Sequence, residues 1–141
     1  MVARLMSMEP IPRVPLVLVV EDRASIRHLL EIALGQEGMR VVAVATANEA
    51  LECAAEQVPD LVLVDLLLSG RRGDALISAL RALPNGDQIP VIVLSGIEGG
   101  LAASRAAGAQ DFLAKPFDLD ELARRVRAQL AEARATHGTP A

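Results

Sequence analysis

The chain has 141 residues, 52% of them apolar, which is enough to fill one core and leaves little for a second. Fourteen basic residues against 18 acidic ones give a net charge of −4, and only Phe112 and Phe117 are aromatic, so the basic footprint and stacking platform of a nucleic-acid binder are missing. The single Cys53 excludes an internal disulfide and a cysteine zinc site, and no run approaches the roughly 18 apolar residues of a membrane span.

Residues 1–14 read as an extended lead-in with Pro10 and Pro12, lacking the apolar segment of a secretion signal. Leu16–Val20 is a continuous apolar run of strand length. Ile26, Leu29, Leu30 and Ala33 then form an i, i+3, i+4, i+7 stripe, stopped by Gly35 and Gly38. Val41–Ala45 predicts a second strand. Thr46 and Glu49 are spaced as a capping box, opening a helix with Leu51, Ala54, Ala55 and Val58 on its apolar side and Pro59 after its end. Leu61–Val64 predicts a third strand. Leu76, Leu80 and Leu83 mark a third helix ended by Pro84, Asn85 and Gly86.

Val91–Leu94 predicts a fourth strand. A short Ala-rich helix over Leu101 to Ala107 follows Gly96, Gly99 and Gly100. Phe112–Ala114 is a weaker fifth strand. Leu119, Leu122, Val126 and Leu130 form the fifth helical stripe, with Asp118 and Glu121 at its start. Residues 135–141 read as a frayed tail, leaving 15–134 as the folded domain. Strands recurring every 20 to 30 residues with helices between them predict an α/β, doubly wound parallel sheet of five strands. Right-handed crossovers then put helices on both faces.

In such a sheet, ligands meet the C-terminal strand ends. Those ends carry Glu21 and Asp22, then Asp65, Ser95, and Lys115 followed by Pro116. Each has an ordinary reading alone. Glu21 and Asp22 suit a helix start, Ser95 a turn, and Lys115 a solvated surface. Asp65 sits between two apolar runs, where a charge must be paired or functional. Together, three carboxylates need a cation among them, and a lysine and a hydroxyl complete the parts that phosphoryl transfer uses. Lys115 is also the only lysine in the chain. Elsewhere, His28 and the Arg71-Arg72 pair read as solvated, Cys53 as a small helix residue and Met39 as core.

These segments resemble the receiver domains of two-component response regulators over roughly Leu16 to Leu130. The resemblance is carried by VLVVED, LVLVD, DLLLSGRRG from Asp65 to Gly73, VIVLSG and DFLAKPF. It implies the flavodoxin-like strand order 2-1-3-4-5. It implies that Asp65 is the phosphoacceptor, taking a phosphoryl group from a histidine kinase or histidine phosphotransfer protein. Glu21, Asp22, Asp65 and the Leu67 backbone carbonyl would hold Mg²⁺, with Mn²⁺ as a substitute. Lys115 and Ser95 would contact the phosphoryl group, Ser95 and Phe112 would act as the switch, and the Lys115–Pro116 bond would be cis.

By the same resemblance the protein is a cytoplasmic signalling phosphoprotein. It would phosphorylate and dephosphorylate itself rather than turn over a substrate. Its output partner is unnamed by the sequence, and a homodimer through the fourth helix, fifth strand and fifth helix is implied. Three departures stand out: Glu21 where Asp is commoner, Ser69 where proline is usual, and apolar Leu67 and Ile97 beside the site. Two rival readings remain. One is a receiver-shaped interaction module with vestigial phosphorylation. The other is a phosphatase on a similar sheet, which would want an acid where Leu67 stands.

Overall fold

A computed structural model of the protein describes residues 13–68, 71–96 and 100–137. The chain alternates strand and helix: β1 (Leu16–Val20), α1 (Ala24–Gln36), β2 (Arg40–Val44), α2 (Ala47–Glu56), β3 (Leu61–Asp65), α3 (Gly73–Arg81), β4 (Val91–Ser95), α4 (Gly100–Ala107), β5 (Asp111–Ala114) and α5 (Leu119–His137). The strands pair in parallel in the order β2-β1-β3-β4-β5, as expected. Two features were not expected. Leu67–Leu68 and Arg71–Arg72 form a two-residue antiparallel ladder after Asp65, and a 3₁₀ turn spans Gly86–Gln88.

The continuous apolar runs are explained by burial on both faces. Leu18, Val20, Val62, Val64, Val91 and Val93 pack against α2 and α3. Val17, Val19, Leu61, Leu63, Ile92 and Leu94 pack against α1 and α5. Successive side chains thus serve opposite layers, and every residue of β1, β3 and β4 is buried.

The helix stripes need correction in two places. In α1 the buried positions are Leu30 and Leu34, whereas Leu29 is 47% exposed. Adjacent helical residues point about 100° apart, so Leu29 and Leu30 sit at opposite edges of the stripe, and the helix is turned so that the i, i+4 pair Leu30 and Leu34 takes the core. In α2 the buried side is Ala47, Ala50 and Ala54, while Ala55 is exposed and Val58 lies past the helix end. Small residues let this helix lie close to the strands. Gly35 lies inside α1; Gly38, at φ +85°, is the residue that turns the chain.

Thr46 caps α2 as its sequence predicts, but the Glu49 carboxylate accepts from the Thr46 hydroxyl rather than from its backbone N–H. Glu49 N–H donates to Thr46 Oγ1 at 3.1 Å, and the Thr46 hydroxyl donates to the Glu49 carboxylate at 3.0 Å. At α5, Asp120 N–H donates to Asp118 Oδ1 at 2.8 Å, while Glu121 turns to Arg124 and Arg125 instead of capping. The α5 backbone continues to His137, three residues into the segment read as frayed. Met39 is buried at the entry to β2, and His28 is exposed. Among the described residues no helix is long and apolar enough to cross a membrane.

Candidate functional site

Three hydrogen bonds just beyond the strands carry the sheet's order into the loops. Glu21 N–H donates to the Val44 carbonyl at 3.0 Å, Leu66 N–H to the Leu94 carbonyl at 3.1 Å, and Lys115 N–H to the Ser95 carbonyl at 2.8 Å. They fix the residues that follow β1, β3 and β5 at one edge. That edge includes the C-terminal ends of β1 and β3, where the strand order reverses and open α/β sheets place their ligands.

Gly73 sets the height of the Asp65 backbone. Its N–H donates to the Leu66 carbonyl at 2.7 Å. A Cβ here would strike the Asp65 carbonyl oxygen and lie 2.9 Å from Leu66 Cα, so only glycine permits α3 to start this close.

Glu21, Asp22 and Asp65 converge, each offering a carboxylate oxygen within 4.8 Å of the others. Lys115 Nζ bridges two of them, donating to Asp65 Oδ2 at 2.7 Å and to Glu21 Oε1 at 3.1 Å. Glu21 is 1% exposed, Asp65 8% and Ser95 1%. Ser95 is thus a buried member of the edge, and its carbonyl anchors Lys115. Lys115 and Pro116 are joined by a cis peptide bond, as expected.

Burial pushes the Glu21 carboxyl above its ordinary value, and the neighbouring Asp65 charge adds to this against the opposing pull of Lys115. Burial alone would lower Lys115, but its hydrogen bonds to Asp65 and Glu21 outweigh that and hold it protonated above its ordinary value. The pocket therefore holds a firm cation among acids that repel one another.

Two candidates fall partly or wholly outside what is described. Ser69 and Ile97 lie outside the described residues, and for Leu67 the described part is its backbone in the short ladder. Phe112 is half-buried on β5 against the α2–α3 side of the core. Its carbonyl accepts from Arg125 Nη1 at 3.2 Å, and the same nitrogen donates to Asp111 Oδ1 at 2.8 Å. A cleft of about 360 Å³ opens at the opposite strand ends, beside Pro15, Asp60 and Pro90, away from this cluster.

Sequence reasoning missed Arg27. From the first turns of α1 its Nη1 donates to the Glu21 carbonyl at 2.8 Å and to the Asp22 carbonyl at 3.4 Å. A cation one turn into a helix that follows two acids was the available signal.

A family model described as response regulator receiver domain matches residues 17–127. The chain belongs to this family. This receiver is 42% identical over 122 residues to KdpE, the KDP operon transcriptional regulatory protein of Escherichia coli K12, covering 85% of this chain and 53% of KdpE. It is 42% identical over 115 residues to the two-component response regulator PhoP of Pseudomonas aeruginosa, covering 80% of this chain and 50% of PhoP. The receiver thus spans about half the length of these two regulators. A crystal structure of a CheY-like response regulator receiver domain protein from Methanospirillum hungatei superposes with a TM-score of 0.82 at 25% identity, covering 88% of this chain and 99% of that one.

Proposed function

We propose that this receiver accepts a phosphoryl group on Asp65 and uses it to switch the surface formed by α4, β5 and α5. The observation that carries the reading is the Asp65–Lys115–Glu21 bridge inside the acidic cluster. A carboxylate oxygen of Asp65 attacks the phosphorus of a histidine kinase or phosphotransfer donor. The P–N bond breaks, and its electron pair leaves with the imidazole, which is neutral once protonated. The product is an acyl phosphate on Asp65.

The donor set suits Mg²⁺, a hard cation taking carboxylate and carbonyl oxygens. Asp22, Asp65 and the Leu67 carbonyl would hold it, with Glu21, engaged by Lys115, contributing through water; Mn²⁺ would fit the same oxygens. When bound, the cation neutralises the charge that builds up on the transferred phosphoryl oxygens. Lys115 exchanges its ion pair with Asp65 for one with the phosphoryl group, and the Ser95 hydroxyl donates to that group.

Ser95 ends β4 and α4 begins five residues later at Gly100, so in this reading a shift at Ser95 is passed to the start of that helix. Phe112, on the neighbouring strand, follows the space this opens. An output partner then reads the changed face, and a second copy of the chain is one candidate for it. The reading places the receiver in the cytoplasm, where histidine kinases present their phosphoryl groups.

Incubation with acetyl phosphate and Mg²⁺, followed by intact mass, tests the proposal. One added phosphoryl group, absent in Asp65→Ala and absent with chelator, is expected. No adduct, or an equal adduct in Asp65→Ala, would overturn it. Amide exchange over residues 96–107 with and without a phosphoryl mimic tests the switch, and unchanged protection there would refute it.

A further inference from the structure

We propose that Arg27 is a positioning residue for the acidic pair. Its guanidinium, reaching back from α1 to the carbonyl oxygens of both Glu21 and Asp22, sets the angle at which the two side chains enter the pocket. This rests on the reading of the pocket as a cation-assisted phosphoacceptor site.

In the loop that bears the pair, the bonds of Arg27 act on the backbone carbonyls of both acids. Glu21 N–H is tied to β2, its Oε1 accepts from Lys115 Nζ and its Oε2 accepts from Arg23 N–H at 3.4 Å, but the Arg23 side chain makes no capping hydrogen bond and the first turn of the helix carries no acid. Arg27 acts on the other side of the junction, donating to the carbonyl oxygens that precede the helix. Its own N–H donates to the Arg23 carbonyl at 2.9 Å, closing the first turn, so the guanidinium is mounted on the helix whose start it restrains. A half-buried planar cation sharing one nitrogen between two successive carbonyls fixes the peptide plane between them. That plane determines where the Asp22 Cβ points. Loss of the donor frees the plane and leaves the carbonyl of a buried residue short of a partner.

The sign of the effect separates positioning from charge. A positive side chain near a cation site weakens cation binding through Coulomb repulsion, so removing it would tighten binding if charge were its whole role. Positioning predicts the reverse.

The test measures Mg²⁺ affinity by isothermal titration calorimetry for the full chain and for Arg27→Gln and Arg27→Lys, each well below its own melting temperature. The expected result is Mg²⁺ binding by the unsubstituted chain. In R27Q it is weaker by about tenfold, equivalent to about 1.4 kcal/mol. R27K lies between, because an ammonium keeps the charge but not the planar fork. Acetyl phosphate labelling of R27Q falls at low Mg²⁺ and recovers at saturation. Unchanged or tighter Mg²⁺ binding in a folded R27Q would overturn the proposal. Should R27Q not fold, R27K decides, with unchanged affinity overturning it. Absence of Mg²⁺ binding in the unsubstituted chain would instead overturn the reading of the pocket itself.

Discussion

Replacing Lys115 with Met leaves three carboxylates whose facing oxygens lie within 4.8 Å of one another, with the bridging cation gone. At that separation, and with an effective dielectric of about 20, each ionised pair repels by about 3.5 kcal/mol. Asp22 is more exposed and screened by solvent, so the dominant repulsion is between buried Glu21 and Asp65, and a proton on either one relieves it. Above an ordinary carboxyl value of 4.5, that proton costs about 5 kcal/mol at pH 8 and about 0.7 kcal/mol at pH 5. Lys115→Met is therefore expected to lose about 3 to 5 kcal/mol at pH 8 and about 1 kcal/mol at pH 5. In a domain of this size that lowers the melting temperature at pH 8 by about 6 to 20 °C. If the folded pocket holds Mg²⁺ and the unfolded chain does not, the ion should return about 1.4 kcal/mol of the loss for each tenfold excess over its dissociation constant. With neither Trp nor Tyr in the sequence, thermal melts followed by far-UV circular dichroism at both pH values, with and without Mg²⁺, are the suitable assay. A variant that melts with the parent at pH 8 without Mg²⁺, or loses the same amount at both pH values, would refute the reasoning.

Burial raises Glu21 in the folded state, so its native carboxyl holds a proton to higher pH than its unfolded one does. Folded stability therefore falls as pH rises from about 4.5 through the raised folded value. Glu21→Gln should flatten that part of the profile and raise the melting temperature at pH 7 by a few degrees; a lower one would contradict it. Gly73→Ala drives a methyl group into the Asp65 carbonyl, so it should cost about 3 kcal/mol and cut acetyl phosphate labelling. Normal labelling by a folded Gly73→Ala protein would count against the close approach. Arg81 donates to the carbonyls of Gly86, Ile89 and Gly108 and to Gln110 Oε1, at 2.5 to 2.9 Å. Arg81→Met should lose about 3 kcal/mol in urea unfolding, and an unshifted midpoint would contradict this assignment.

The strands were legible because parallel pairing buries both faces, leaving apolar runs at Leu16–Val20 and Val91–Leu94 that need no phase to be recognised. The helices were less so. A stripe read from i, i+3, i+4 spacing accepts Leu29 and Leu30 together, and only the sheet beneath decides that Leu30 and Leu34 face inward. In α2 the alanines that allow close packing carry too little hydrophobic contrast to mark the buried side. The site was legible because strand ends are sequence landmarks, so Glu21, Asp22, Asp65, Ser95 and Lys115 could be placed on one edge. What escaped were contacts made through the backbone. Arg27 reaches carbonyl oxygens and Arg81 spans 27 residues to Gly108, and a carbonyl acceptor leaves no trace in residue identity.

The central claim is that this edge holds a divalent cation beside an acid that takes a phosphoryl group. A crystal structure grown with Mg²⁺ and beryllofluoride addresses it most directly. The account predicts the fluoride group on Asp65 with Lys115 Nζ and the Ser95 hydroxyl against it, and the cation on Asp22 and Asp65. Beryllofluoride on another carboxylate, or Lys115 still bridging Glu21 and Asp65 with no cation between the acids, would contradict it.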